Sequence, residues 1–99
     1  MAHQNVDLIS QDILEKKVEI VKAIAHHVRL QIVNILMNGE SSVGNLVKMV
    51  CTKQSLTSQQ LSILKLRGIL KARRKGNVVY YSLENNGIKN IIASILAED

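Results

Sequence analysis

Thr52–Leu83, TKQSLTSQQLSILKLRGILKARRKGNVVYYSL, decides the fold, because its hydrophobic period changes part-way along. Before Gly68, Leu61 and Leu64 stand one turn apart among Ser and Gln, the spacing of a helix that buries a narrow face and runs to about Arg67. Thr52 or Ser55 can cap this helix, and Gly68 stops it. After Gly68, Ile69–Arg74 and Val78–Leu83 read as two short strands of β-branched and basic residues. Lys75-Gly76-Asn77 between them supplies residues that tolerate positive φ in a tight hairpin.

Upstream, Ser42-Val-Gly-Asn-Leu offers a serine N-cap ahead of Val43, Leu46, Val47 and Val50, which share one side of a short helix running to Cys51. Val28–Asn38 carries Leu30, Val33, Ile35, Leu36 and Met37, with Gly39 suited to end a second helix. Asp7–Ala25 spaces Ile9, Ile13, Leu14, Val18, Val21 and Ile24 helically, with acids ahead of lysines as a helix dipole prefers. The last segment, Gly87–Ala97, puts Ile88, Ile91, Ile92, Ile95 and Leu96 at i, i+3, i+4, i+7 and i+8. The expected fold is mainly α with a β-hairpin wing, in the order α-α-α-α-β-β-α. That is a winged helix-turn-helix, one domain over residues 1–99, with the helix-turn-helix at 42–67 and the wing at 69–83.

The charges are segregated. Residues 41–83 hold no Asp or Glu but eight bases: Lys48, Lys53, Lys65, Arg67, Lys71, Arg73, Arg74 and Lys75. The flanks hold all eight acids against five bases, so the window is +8, the flanks −3 and the chain +5. A one-signed field of this kind meets polyanions, of which nucleic acid is the commonest. With neither Phe nor Trp there is little aromatic surface to stack unpaired bases, which points to double-stranded DNA.

Composition excludes other classes. The single cysteine, Cys51, cannot form an internal disulfide, and no apolar run nears the roughly 18 residues that span a bilayer. The N-terminal MAHQNVDLIS lacks the basic and apolar regions of a signal peptide, so a cytoplasmic protein without a membrane partner is expected. No paired carboxylates, Gly-rich phosphate loop or nucleophile motif supports an enzyme.

A major groove about 12 Å wide admits one helix. The expected reading stripe is therefore Gln54, Ser55, Ser58, Gln59 and Ser62, where Gln suits a bidentate contact with adenine and Ser can serve bases or phosphates. Lys53 and Lys65, with Lys71, Arg73, Arg74 and Lys75 of the wing, are expected at phosphates. The plain alternatives are a solvated helix face and an edge strand that uses its charges against aggregation. Tyr80 and Tyr81 alternate, so one should pack inward and the other face out.

Five motifs in order, Ala25-His-His-Val-Arg-Leu-Gln-Ile, Ser42-Val-Gly-Asn-Leu, Ser58-Gln-Gln-Leu-Ser-Ile-Leu, Gly68-Ile-Leu and Arg73-Arg-Lys-Gly-Asn-Val-Val-Tyr-Tyr-Ser-Leu, resemble the ArsR/SmtB family of repressors. The resemblance covers about residues 18–97. It implies a homodimer through the first and last helices (residues 7–25 and 86–97), an inverted-repeat operator, and repression lifted by a signal. The apolar excess on those two helices points the same way, with Ile9, Ile13, Ile91 and Ile95 as interface residues. The chain departs from the family at His27 where Pro is frequent, at Gln60 where His is frequent, and at Asn45 in place of a capping-box Glu. Thr57 stands at a usually apolar position, and Leu56 at one that commonly faces DNA.

Metal-sensing members of that family use two cysteines in the third helix, or His and carboxylates in the last. Here the third helix has one thiol, and Gly87–Ala97 has no His, Cys or Asp. His3, His26, His27 and Cys51 have no recognisable ligand spacing, so no metal and no cofactor is expected. His26 and His27 are expected at the helix 1–2 corner, one packed and one exposed. Cys51 is expected to be a small buried hydrophobe. Any effector is unidentified. Two readings stand beside a dimeric repressor: a winged-helix module whose basic face meets an acidic protein, and a nonspecific architectural DNA protein.

Overall fold

A computed structural model describes residues 6–97. Helix α1 (Gln11–Ile24) begins later than Asp7, because Ser10 takes the cap: its Oγ accepts from the Ile13 N–H at 3.4 Å. Ile9 therefore precedes the helix instead of lying on it. Helix α2 (His27–Leu36) is capped by His26, whose Nδ1 accepts from the Val28 N–H at 3.1 Å. It ends two residues before Asn38. A two-residue strand that local sequence does not announce, β1 (Ser41–Ser42), then leads into α3 (Val43–Val50).

Ser42 caps α3 as expected, its Oγ accepting from the Asn45 N–H at 3.1 Å. The Asn45 side chain, in place of a capping-box Glu, donates to Ser41 Oγ at 2.7 Å. Helix α4 (Gln54–Leu66) has Lys53 at its N-cap and no side-chain cap, so neither Thr52 nor Ser55 fills that role. Its far end closes through two backbone bonds, Gly68 N–H to Lys65 O and Ile69 N–H to Leu64 O, both 3.0 Å. This closure needs the left-handed backbone of Gly68, φ 75°.

Strands β2 (Leu70–Lys75) and β3 (Val78–Leu83) then form an antiparallel hairpin. Only Gly76 in its turn adopts positive φ, 63°, as the first residue of a type II′ turn must. The chain closes with α5 (Asn86–Leu96), capped by Asn85 Oδ1 at 2.9 Å from the Ile88 N–H.

The sheet order is β1-β3-β2, so the short strand after α2 docks on the wing's second strand, Ser41 opposite Tyr81 and Ser42 opposite Tyr80. Pairing in the hairpin sorts its side chains by face. Leu70/Leu83, Ala72/Tyr81 and Arg74/Val79 share one, and Lys71/Ser82, Arg73/Tyr80 and Lys75/Val78 the other. Leu70 and Leu83 are buried and Tyr81 packs against the core, so the first face points inward, while Tyr80 lies on the outer face.

Ile32, Val33 and Leu36 of α2, Leu46 of α3, Leu61 and Leu64 of α4, and Ile92 of α5 meet around the root of the wing. Helix α1 adds its C-terminal part, with Ala23 and Ile24 buried and Ile20 packed against them, while its residues 11–18 are exposed. The radius of gyration is 16.0 Å, against the roughly 13 Å usual for about 100 residues.

Candidate nucleic-acid interface

Burial along α4 separates an anchoring face from a free one. Thr57, Gln60, Leu61 and Leu64 are buried, whereas Gln54, Ser55, Leu56, Gln59 and Ser62 are exposed and Ser58 is half-buried. Ser55, Leu56, Ser58, Gln59 and Ser62 line one shallow surface depression, which gathers four of the five expected stripe residues and leaves Gln54 outside it. Ser62 is partly engaged already, since its hydroxyl donates to Ser58 O at 3.0 Å. Leu56, not counted among the reading residues, is part of this surface.

The helix is held from behind by an inward polar contact. Arg29 of α2 donates from Nη1 to Gln60 Oε1 at 2.8 Å and from Nε to the Ala23 carbonyl, linking α4, α2 and the end of α1. The Thr57 hydroxyl beside it on α4 is buried and has no hydrogen-bond partner among the described residues.

The wing's cations divide by what they touch. Lys71, Arg74 and Lys75 are exposed, with no acid within ion-pair distance among the described residues. Arg73 is different. It donates from Nε and Nη2 to the two carboxylate oxygens of Glu40, 2.7 Å each, and its guanidinium lies 4.8 Å from the centre of the Tyr80 ring. The hydrogen bonds from Arg73 hold the Glu40 carboxyl below its ordinary range, and Glu40 in turn raises Arg73.

Arg67, at the end of α4, meets Glu19 of α1 at 3.4 Å. The stretch without acids in sequence thus borrows two in space. Among the described residues, Arg67 and Arg73 of its eight cations are paired, and six have no acid partner: Lys48, Lys53, Lys65, Lys71, Arg74 and Lys75. No local signal marks Glu40 and Tyr80 as partners of Arg73; Glu40 is merely the last acid before the basic window.

Cys51 corrects an expectation. It is exposed, in left-handed backbone (φ 53°, ψ 46°) just past α3, with its thiol 3.5 Å from Lys48 O. The left-handed turn carries the chain from α3 into α4 and swings the side chain off the apolar face. The neighbouring histidines stack, ring centres 4.9 Å apart, with His26 half-buried and His27 exposed. Among the described residues no three His, Cys, Asp or Glu side chains gather to hold a metal; His3, Glu98 and Asp99 lie outside those residues. No helix is long and apolar enough to cross a membrane among them either.

The four expected interface residues fall on two surfaces. Ile13, with Leu14, Val18 and Val21, forms an exposed stripe on α1, and Ile9 is exposed just ahead of it. Ile91 and Ile95 are 57 % and 54 % exposed on α5, while Ile92 between them is buried.

Comparison with known proteins agrees with this architecture. The profile described as bacterial regulatory protein, arsR family, matches residues 26–72. The transcriptional repressor PagR of Bacillus anthracis is 38 % identical over 81 residues, 80 % of this chain and 80 % of PagR. Among solved structures, HlyU of Vibrio cholerae superposes with a TM-score of 0.82 at 32 % identity, covering 87 % of this chain and 94 % of HlyU. The homodimeric winged helix-turn-helix DNA-binding domain of Mb0332 from Mycobacterium bovis gives 0.81 at 28 %, covering 88 % and 83 %. The helix-turn-helix with its basic wing and these likenesses together place the chain in the ArsR family of DNA-binding transcription regulators, which are not enzymes.

Proposed function

We propose that this protein is a homodimeric repressor that reads an inverted-repeat operator, with α4 in the major groove and the wing along the flanking backbone. The observation that carries the reading is the split of α4 into a buried face and an exposed Ser/Gln stripe, beside a wing whose Lys71, Arg74 and Lys75 have no acid partner among the described residues. A helix anchored from behind can present Gln54, Ser55, Ser58 and Gln59 to base edges, with Ser62 at the rim. Lys53, Lys65 and the wing cations then neutralise phosphates. Arg73 acts chiefly by holding the wing to Glu40.

The apolar stripe on α1 and Ile91 and Ile95 on α5 support self-association, and the homodimeric form of the Mb0332 domain agrees with it. A dimer sets two reading helices about 34 Å apart on one face of DNA. Repression is the reading favoured here because PagR is named a repressor and is 38 % identical, whereas HlyU, 36 % identical, is named an activator. Helix α5 carries no His, Cys or acid, and α3 only the thiol after its end, so the protein works without the metal sites of the family's metal sensors. Its place is the cytoplasm, with the DNA.

Selection from a random duplex pool at near-physiological salt, with no metal added, tests the proposal. An enriched inverted repeat is the expected result. A flat pool with salt-sensitive binding would replace it with an architectural role, and absence of DNA binding would favour a protein partner for the basic face.

A further inference from the structure

Leu56 is the one exposed aliphatic side chain in the shallow surface formed by Ser55, Ser58, Gln59 and Ser62. At 39 % exposed it takes no part in the core, and it is absent from the partly buried apolar residues packed against that core. The structural work of α4 is done by Thr57, Gln60, Leu61 and Leu64 on the other side. Leu56 lies in the first turn of α4, and in a helix-turn-helix it is the N-terminal residues of the second helix that reach the base edges. Every charge on α4 and the wing is positive, which suits this face to a polyanion instead of a second apolar protein surface.

Resting on the operator-reading role above, we infer that Leu56 is a specificity-determining residue that packs on the C5-methyl group of a thymine. In the major groove thymine is the base that shows a methyl, and an aliphatic side chain placed against any other base edge would strip water from polar atoms it cannot bond. Leu56 and Gln59 are three residues apart, hence neighbours on the helix surface with Cβ atoms about 5–6 Å apart. Their contacts fall on adjacent base pairs, Gln59 on an adenine and Leu56 on a thymine. The half-site should therefore contain neighbouring A·T pairs at the centre of the α4 footprint.

Replacing thymine by deoxyuridine deletes only the methyl, so it isolates this contact. Each thymine of the selected operator is replaced in turn and binding is measured for the wild type and for Leu56→Ala. One thymine per half-site should lower wild-type affinity about fourfold when demethylated, the ~0.8 kcal/mol of one buried carbon converted at about 1.4 kcal/mol per tenfold. Leu56→Ala should bind the thymine and uracil operators equally, with an unchanged melting temperature. Wild-type binding indifferent to every thymine methyl would overturn the assignment, as would a Leu56→Ala protein that keeps the thymine preference. The scan on the wild type stands alone if the variant folds poorly. A pool with no enriched sequence would instead remove the operator-reading role itself, and this contact with it.

Discussion

Arg73 and Glu40, 33 residues apart, form a two-pronged ion pair that ties the outer face of the wing to the residue just ahead of β1. The Tyr80 ring beneath the guanidinium completes the clamp, and across β3 Tyr80 is paired with Ser42 of β1. The ion pair adds to the β1–β3 ladder in tying the wing to the α2–α3 connection, and it matches one of the wing's exposed cations with an acid of the same molecule.

That pairing separates two neighbouring arginines. Each phosphate neutralised on duplex DNA contributes about 0.9 to the slope of log affinity against log salt. Arg74→Ala should flatten the slope by about that amount on all sequences. Arg73→Ala should flatten it less, because Glu40 already meets its charge. Titrations of both variants against operator and random duplexes decide the matter, and equal losses would mean that the pair opens on DNA.

Stability should fall in acid in two steps. Burial at the helix corner, with Arg29 and His27 beside it, holds the His26 imidazole below its ordinary 6.5. A depressed histidine contributes stability that is whole above 6.5 and is lost as pH falls through the lower folded value. Protonation also takes the Nδ1 lone pair that caps α2. Glu40, depressed by Arg73, loses its contribution only as pH falls below its ordinary 4.5. His26→Asn, which keeps a capping oxygen and cannot titrate, should abolish the first step in melting temperature against pH. A curve unchanged by the substitution would assign that step elsewhere.

The buried Thr57 hydroxyl has no hydrogen-bond partner among the described residues. Valine has nearly the same shape and removes the stranded group, so Thr57→Val should stabilise by about 1 kcal/mol, or roughly 4–8 °C in melting temperature. Operator affinity should not change, since the side chain faces away from the reading stripe. A lower melting temperature would show that the hydroxyl is bonded in solution.

Ile91→Asn with Ile95→Asn should give a folded monomer, because Ile92 still anchors α5 in the core. Losing the second reading head removes the gain from linked binding, so operator affinity should drop by about 100-fold or more. Sedimentation reads the assembly state; a dimer that persists would take α5 out of the interface.

Much of the architecture is legible residue by residue. The change of period at Gly68, the serine ahead of α3 and the Gly76 turn act over a few residues, where backbone sterics and side-chain alternation leave few choices. The exposed Ser/Gln stripe of α4 is legible in the same way, since burial of Leu61 and Leu64 turns Ser55, Gln59 and Ser62 outward. Ends are less so: Ser10 and Lys53, not Asp7 and Thr52 or Ser55, flank the starts of α1 and α4, because several polar residues in a row compete for one cap.

By itself the sequence determined the type and order of the helices and the hairpin, the basic character of one half, and the apolar surplus on α1 and α5, all properties of neighbours along the chain. Only the tertiary structure decided that Arg73 belongs to Glu40 and Arg67 to Glu19, that Gln60 supports Arg29, and that Cys51 faces solvent. Those outcomes depend on strand register, helix docking and one left-handed turn, which bring together residues that no local pattern connects.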